Sequence, residues 1–169
     1  MLKYLTWENL LNELKTKGSF LLPLRLFIGL GWFRAGISKL TKPGWYNGDA
    51  LQKFLVEHLD KGDIVFPPYE FLVNNLFLPN VALLGWIIVI GQILCGISIL
   101  AGAFTNLALM MGLIMNLNFI IAGAPNPSAF YVMIQIVLLL SNTGAIIGLD
   151  KLLSRKIHYA FLIAQPEHK

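Results

Sequence analysis

The sequence predicts an all-α membrane protein: a four-transmembrane-helix antiparallel bundle with an amphipathic N-terminal helix and a long, partly helical first loop. Three observations carry this. From Pro79 to Leu149 the chain runs 71 residues without one Asp, Glu, Lys, Arg or His. A soluble domain needs charge on its outer faces, whereas about 20 apolar residues span a bilayer's hydrocarbon core, so this stretch is long enough for three crossings. The whole chain agrees: 56% of its 169 residues are hydrophobic and 13% are charged, with a mean hydropathy of +0.67. Finally, backbone N–H groups in lipid need internal partners, which makes helices the spanning form for runs of this length. Residues 1–169 read as one domain.

The elements follow in order. Before the first apolar run, Tyr4, Trp7, Leu11 and Leu14 recur at helical spacing opposite Lys3, Glu8, Asn12 and Lys15. That pattern predicts an interfacial helix lying on the membrane. The first span covers about residues 20–40; it is too long for a signal peptide, and Arg25 and Arg34 interrupt it. The loop from Thr41 to Leu78 carries an apolar stripe of Leu51, Phe54, Leu55 and Leu59 on a short helix, with Asn47 or Asp49 placed to cap it. Pro67-Pro68 opens a second apolar piece containing Tyr69, Phe71, Leu72, Leu76 and Phe77. A loop of this length and amphipathic content covers a site, binds a partner or packs on the bundle's rim.

The remaining spans cover about residues 79–100, 104–121 and 128–149. Gly102 with Thr105-Asn106, and the run from Gly123 to Pro127, supply the turns. Connections this short force antiparallel neighbours. Four spans put both termini on one side of the membrane. Lys3, Lys15, Lys17, Lys151, Arg155 and Lys156 lie on that side, against Lys39, Lys42, Lys53 and Lys61 on the other. The count predicts cytoplasmic termini.

Composition also excludes functions. The formal net charge is +4, yet the basic residues flank apolar runs instead of gathering into a patch interleaved with aromatics, so nucleic acid is not the partner. One cysteine, Cys95, rules out an internal disulfide and a Cys-x-x-Cys pair. His58, His158 and His168 fall outside the spans and lack metal spacing, so neither haem nor metal ligands are evident. No phosphate loop, nucleophile elbow or HExxH pattern occurs.

Chemistry therefore rests on polar groups within the spans. Arg25 and Arg34 lie nine residues apart, on nearly opposite faces of the first span. Arg25 shares a face with Gly29, Trp32 and Gly36, a helix-packing surface, while Arg34 lies near the loop side with Lys39 and Lys42. Gln92, Asn116 and Gln135 fall near mid-depth on three different helices, with Asn118 and Tyr131 nearer the loop. An amide in hydrocarbon needs a partner, and interhelical hydrogen bonds contribute about 0.6–2 kcal/mol each. One reading is polar glue between helices. The other is a pocket in which Arg34, Gln92, Asn116, Asn118 and Gln135 hold the carbonyl oxygens of a quinone, with Lys39 and Lys42 as a cationic substrate rim. No residue is assigned a catalytic role.

The run from Arg25 through Gly29, Gly31, Trp32, Arg34 and Gly36 to Lys39, followed by Lys42-Pro-Gly-Trp45, resembles the opening of the DoxX/DoxD family. So do Gly91-Gln92 through Gly96 to Gly102, Asn116-Leu-Asn118, and Gly148-Leu-Asp150. The similarity covers most of Leu21 to Leu153 and is closer to the DoxD branch. The resemblance implies a four-helix membrane bundle similar to the small membrane subunits of thiosulfate:quinone oxidoreductases. Such subunits work with a second subunit and associate with terminal quinol oxidases. Where the family often has Glu, this chain has Gln92, and an amide neither ionises nor relays a proton. The expectation is a quinone-linked oxidoreductase subunit of a prokaryotic cell membrane, with thiosulfate as donor. The alternative is a non-catalytic accessory or assembly subunit of a larger respiratory or photosynthetic complex, docked through the Gly144-x-x-x-Gly148 and Ser98-x-x-x-Gly102 patterns. A transporter is disfavoured because no span carries an acidic residue for ion coupling.

Overall fold

The computed structural model describes residues 18–124, 127–141, 143 and 147–151. The amphipathic segment expected before residue 18 lies outside them, as do Asn142 and most of the chain after Ser141 up to residue 147. Among the described residues the protein is all-helical, with six α-helices.

A short 3-10 turn, Gly18–Leu21, leads into α1, Leu22–Leu40. Pro23 sits in its first turn, where a missing N–H costs nothing. One stripe of α1, made by Arg25, Ile28, Gly29, Trp32 and Gly36, is buried. Thr41 ends the helix by donating both its backbone N–H and its hydroxyl to the Ile37 carbonyl.

The first loop is a helical cap. Its α2, Asp49–Asp60, buries Leu51, Leu55 and His58. Asn47 Oδ1 accepts the Asp49 N–H at 3.2 Å, while the residue at the cap position itself is Gly48, at φ 89°. The sequence reading offered Asn47 or Asp49. A side chain at position 48 would run into the backbone of Ala82, so glycine takes the place and Asn47 reaches over it. The outer face of α2 is charged and wet. There Lys61 Nζ donates to Glu57 at 2.6 Å, and this bond and its charge hold the Glu57 carboxyl below its ordinary range.

The second piece of the loop differs from expectation. Instead of a separate segment, α3 (Pro67–Leu72) continues through a wide π turn, Val73–Phe77, and a tight 3-10 turn, Leu78–Asn80, into α4, Val81–Ala101. Pro79 is the reason for the irregular turns: it has no N–H for the carbonyl one turn earlier, and its ring crowds that carbonyl. Asn75 and Asn80 compensate by donating their side-chain amides to the carbonyls of Phe71 and Leu76, each at 2.8 Å. The resulting run from Pro67 to Ala101 is 35 residues, or about 50 Å at 1.5 Å per residue, and outreaches the roughly 30 Å hydrocarbon core.

Gly102, at φ 66°, ends α4 in the left-handed conformation. Then α5 covers Thr105–Ile121 and α6 covers Ser128–Ser141. The longest helices pack in a ring, α1 against α4 and α6, and α5 against α4 and α6. Gly96 lets α1 and α4 approach closely: a Cβ there would stand 2.5 Å from the Phe33 backbone nitrogen. Two apolar cores result. Ile28, Trp32, Ile99, Leu109 and Leu138 fill the bundle, whereas Leu51, Leu55, Ile64, Tyr69, Val73 and Ala122 join the cap to the loop-side end of α5.

The outer faces stay apolar. Leu30 on α1, Leu83 and Leu94 on α4, Leu107 and Met110 on α5, and Phe130 and Met133 on α6 are all more than half exposed. A surface of this kind is stable in hydrocarbon, not in water. By length and composition, one helix among the described residues, Pro67–Ala101, is able to cross a membrane on its own. α1 is long enough but carries Arg25, Arg34 and Lys39, and α5 and α6 have 17 and 14 residues.

Candidate functional site

The cap does not lie flat on the bundle. Between them is a cavity of about 400 Å³. Its walls come from five places: Lys39 at the end of α1 with Trp45 after it, Leu51, Phe54 and Leu55 of α2, Tyr69 and Phe77 before α4, Leu84, Ile87 and Ile88 of α4, and Met115, Asn118, Phe119, Ala122 and Ala124 at the end of α5. Aromatic rings and branched aliphatics dominate. The volume lies in the range of small-molecule sites, which combine apolar walls with a few placed polar groups.

Those polar groups are specific. Lys39 is the charged residue of the lining, and its ammonium sits 4.9 Å from the centre of the Trp45 ring. A cation over an indole face is held there by the ring's quadrupole. Tyr69 donates its hydroxyl to the Asn118 backbone carbonyl at 3.3 Å, tying the cap to α5. The Asn118 side chain donates to its own helix, at the Ile114 carbonyl, 2.9 Å away. One of its two amide hydrogens is thereby spent, so Lys39 is the stronger free donor. Sequence reading placed Lys39 on a rim and Asn118 in a pocket, and the structure brings these two together. It gave Trp45, Tyr69 and Phe119 no site role, because only the folded cap brings Trp45 and Tyr69 to the end of α5 where Phe119 lies.

The other candidates lie elsewhere. Arg34 and Lys42 are exposed and do not line the cavity. Gln92, Asn116 and Gln135 are at most 2% exposed and sit within the bundle. Asn116 Nδ2 donates to Gln135 Oε1 at 2.8 Å, a buried bond between α5 and α6. Gly112 makes room for it: a Cβ there would meet Gln135 Nε2 at 2.4 Å and Trp32 Nε1 at 3.1 Å. Gln92 Oε1, Gln135 Nε2 and Trp32 Nε1 have no hydrogen-bond partner among the described residues.

A second polar cluster lies at the opposite end of the bundle. Arg25 is 3% exposed, and its Nη1 donates to the carbonyls of Thr143, at 3.1 Å, and Ile147. The Asp150 carboxylate accepts the backbone N–H of Phe104 at 2.6 Å and of Thr105 at 2.9 Å, capping α5 from 45 residues away. Asp150 in turn donates its own N–H to the Gly102 carbonyl at 2.7 Å. Phe104 is held at φ 51°, an uncommon conformation for a residue with a ring, and these bonds support it. This cluster closes the terminal end of the bundle. Sequence reading quoted Gly148-Leu-Asp150 without seeing that Asp150 is a cap, since nothing local to Thr105 signals it.

The chain matches the protein family described as TQO small subunit DoxD over residues 20–164. A search of curated proteins gave no significant match, and a search of solved structures gave none either. The matched region includes both polar clusters, the cap and every residue lining the cavity.

Proposed function

Because the chain belongs to the DoxD family, we propose that it is the small membrane subunit of a quinone-linked oxidoreductase and that the cavity under the cap receives the quinone ring. The observation that carries this reading is the cavity itself: about 400 Å³, aromatic, and provided with one ammonium group. The walls fit a flat, apolar ring, and the polar groups fit an oxygen on its edge.

Four crossings, by α1, α4, α5 and α6, fit the apolar outer faces and the ring of packing between these helices. The cap then lies on one side of the membrane and both chain ends on the other. The excess of lysine and arginine near the ends supports cytoplasmic termini in a prokaryotic cell membrane.

Reduction of a quinone takes two electrons and two protons. Thiosulfate as donor supplies the electrons when two of its dianions couple through sulfur to tetrathionate, and water on the loop side supplies the two protons. The apolar walls exclude water from the ring and fix its plane, so little ordering remains when electrons arrive. Lys39 stands where negative charge would build on a ring oxygen, and a fixed cation in a dry site stabilises such charge far more than water does. Trp45 keeps that ammonium in place. A thiosulfate dianion is too strongly hydrated for these walls. Its oxidation belongs on the polar loop side, on a second subunit, for which Lys42 and Arg34 provide exposed cations.

The alternative accessory role leaned on the small-residue patterns. Their described glycines pack internally: a Cβ on Gly102 would stand 2.7 Å from the Gly148 Cα, and Gly29, Gly36 and Gly96 pack α1 on α4. That favours the enzyme subunit.

The test is thiosulfate-dependent reduction of a quinone analogue by membranes containing the chain and its partner. Lys39→Met lowers turnover about 100–1000-fold, the scale of losing one charge-stabilising donor. Unchanged turnover in that variant, or no thiosulfate-dependent reduction by the wild type, contradicts the reading.

A further inference from the structure

The wall of the cavity is uneven, and we infer that it opens sideways into the lipid between Ile87 and Gly91 of α4 and Met115 of α5, a portal through which the tail of a bound lipophilic ligand leaves the site. Of the lining residues, Ile87 alone is exposed; the others are buried or half-buried. It borders the cavity and is also 55% exposed, on the same outer face of α4 as Leu83 and Ile90. The cavity thus meets the surface on an apolar face, away from the charged face of α2. One turn further along α4, Gly91 has no side chain to close the gap, and a Cβ built there would only touch Met115 Sδ at 3.5 Å, an ordinary contact. Across the opening stands Met115, whose unbranched thioether adapts to irregular shapes more readily than a branched chain does.

The consequence is a preference between ligands with the same ring. A ring with a long polyprenyl tail is too large for about 400 Å³, so its tail must lie in the opening while the ring is bound. A short-chain analogue fits wholly inside. Gly91, outside the lining, therefore bears on the tail alone, whereas Ile87 and Met115 border both ring and tail. This rests on the quinone reading above.

The experiment uses the full chain in lipid nanodiscs, with tryptophan fluorescence quenching to measure the dissociation constants of a polyprenyl quinone and a short-chain analogue. Gly91→Leu, outside the cavity lining, narrows the opening and weakens the tailed quinone about 5–10-fold with the short analogue within twofold, and Ile87→Phe weakens the tailed quinone more than the short one. Ile90→Phe, one turn along the same face but outside the cavity lining, changes neither. Equal weakening of both quinones, no effect on the tailed one, or an Ile90→Phe effect matching Ile87→Phe each overturns the portal. Quenching by neither quinone in the wild type overturns the quinone reading itself.

Discussion

Arg25 shows how one side chain decides whether an end of the bundle holds. Its guanidinium is buried, yet it is engaged by two carbonyls beyond α6 and feels the Asp150 carboxylate. Removing Arg25 leaves two carbonyls without their charged donor, at about 1–3 kcal/mol for each acceptor left unsatisfied. Arg25→Ala is expected to unfold the protein in mild detergent well below the wild-type temperature, as followed by thermal scanning. Asp150→Ala loses a distant helix cap, worth about 0.5–2 kcal/mol, and so falls between. The two changes together are expected to cost less than their sum, since they break one network. Full additivity would mean that the clusters are independent. The sequence disclosed Arg25 as a packing residue from its neighbours Gly29, Trp32 and Gly36. It hid the partners, because carbonyls have no letter in a sequence and Asp150 lies 45 residues from the helix it caps. Lys39 was legible as a cation near the membrane edge; its seat over Trp45 was not, since the five residues between them must first turn.

At the scale of elements, α4 is the organiser. It packs on α1 through Gly96, carries buried Gln92, and continues backward through the Pro79 irregularity into the cap. Gly96→Ala forces Phe33 and the α1 backbone to shift, and is expected to destabilise by at least the 1–3 kcal/mol typical of overpacking. The same substitution at Gly62, where nothing lies within 4 Å, tests the left-handed turn alone. The amide pair between α5 and α6 gives a sharper prediction. Asn116→Leu strands Gln135 in the core and costs about 1–3 kcal/mol, whereas the double variant with Gln135→Leu recovers most of that loss. Equal destabilisation by the single and double variants would show that the amides do more than pair. Periodicity and length revealed α5 and the core of α6 from apolar runs. They did not reveal that α3 runs into α4, because a proline normally marks an end and the compensation by Asn75 and Asn80 emerges only once the turns are built.

For the whole molecule, two ends with different chemistry follow from one topology. The terminal end is locked by Arg25 and Asp150; the loop end keeps a cavity between cap and bundle. In a Cys95→Ser background, Lys61→Cys in the cap and Lys151→Cys beyond α6 are expected to react with an impermeant maleimide from opposite faces of sealed vesicles. Labelling from one face would remove the four-crossing topology. The membrane setting was legible from the uncharged stretch alone, since no fold in water tolerates it. The cavity was not, because it belongs to the contact between a loop and a bundle and no local pattern encodes that contact. The most direct measurement of the central claim is photolabelling of the full chain in lipid with an azidoquinone, mapped by mass spectrometry. The account predicts adducts on the segments around Trp45, Tyr69 and Met115 to Phe119, competed by unlabelled quinone. Adducts confined to the outer faces of α4 and α6, undiminished by competitor, would contradict it.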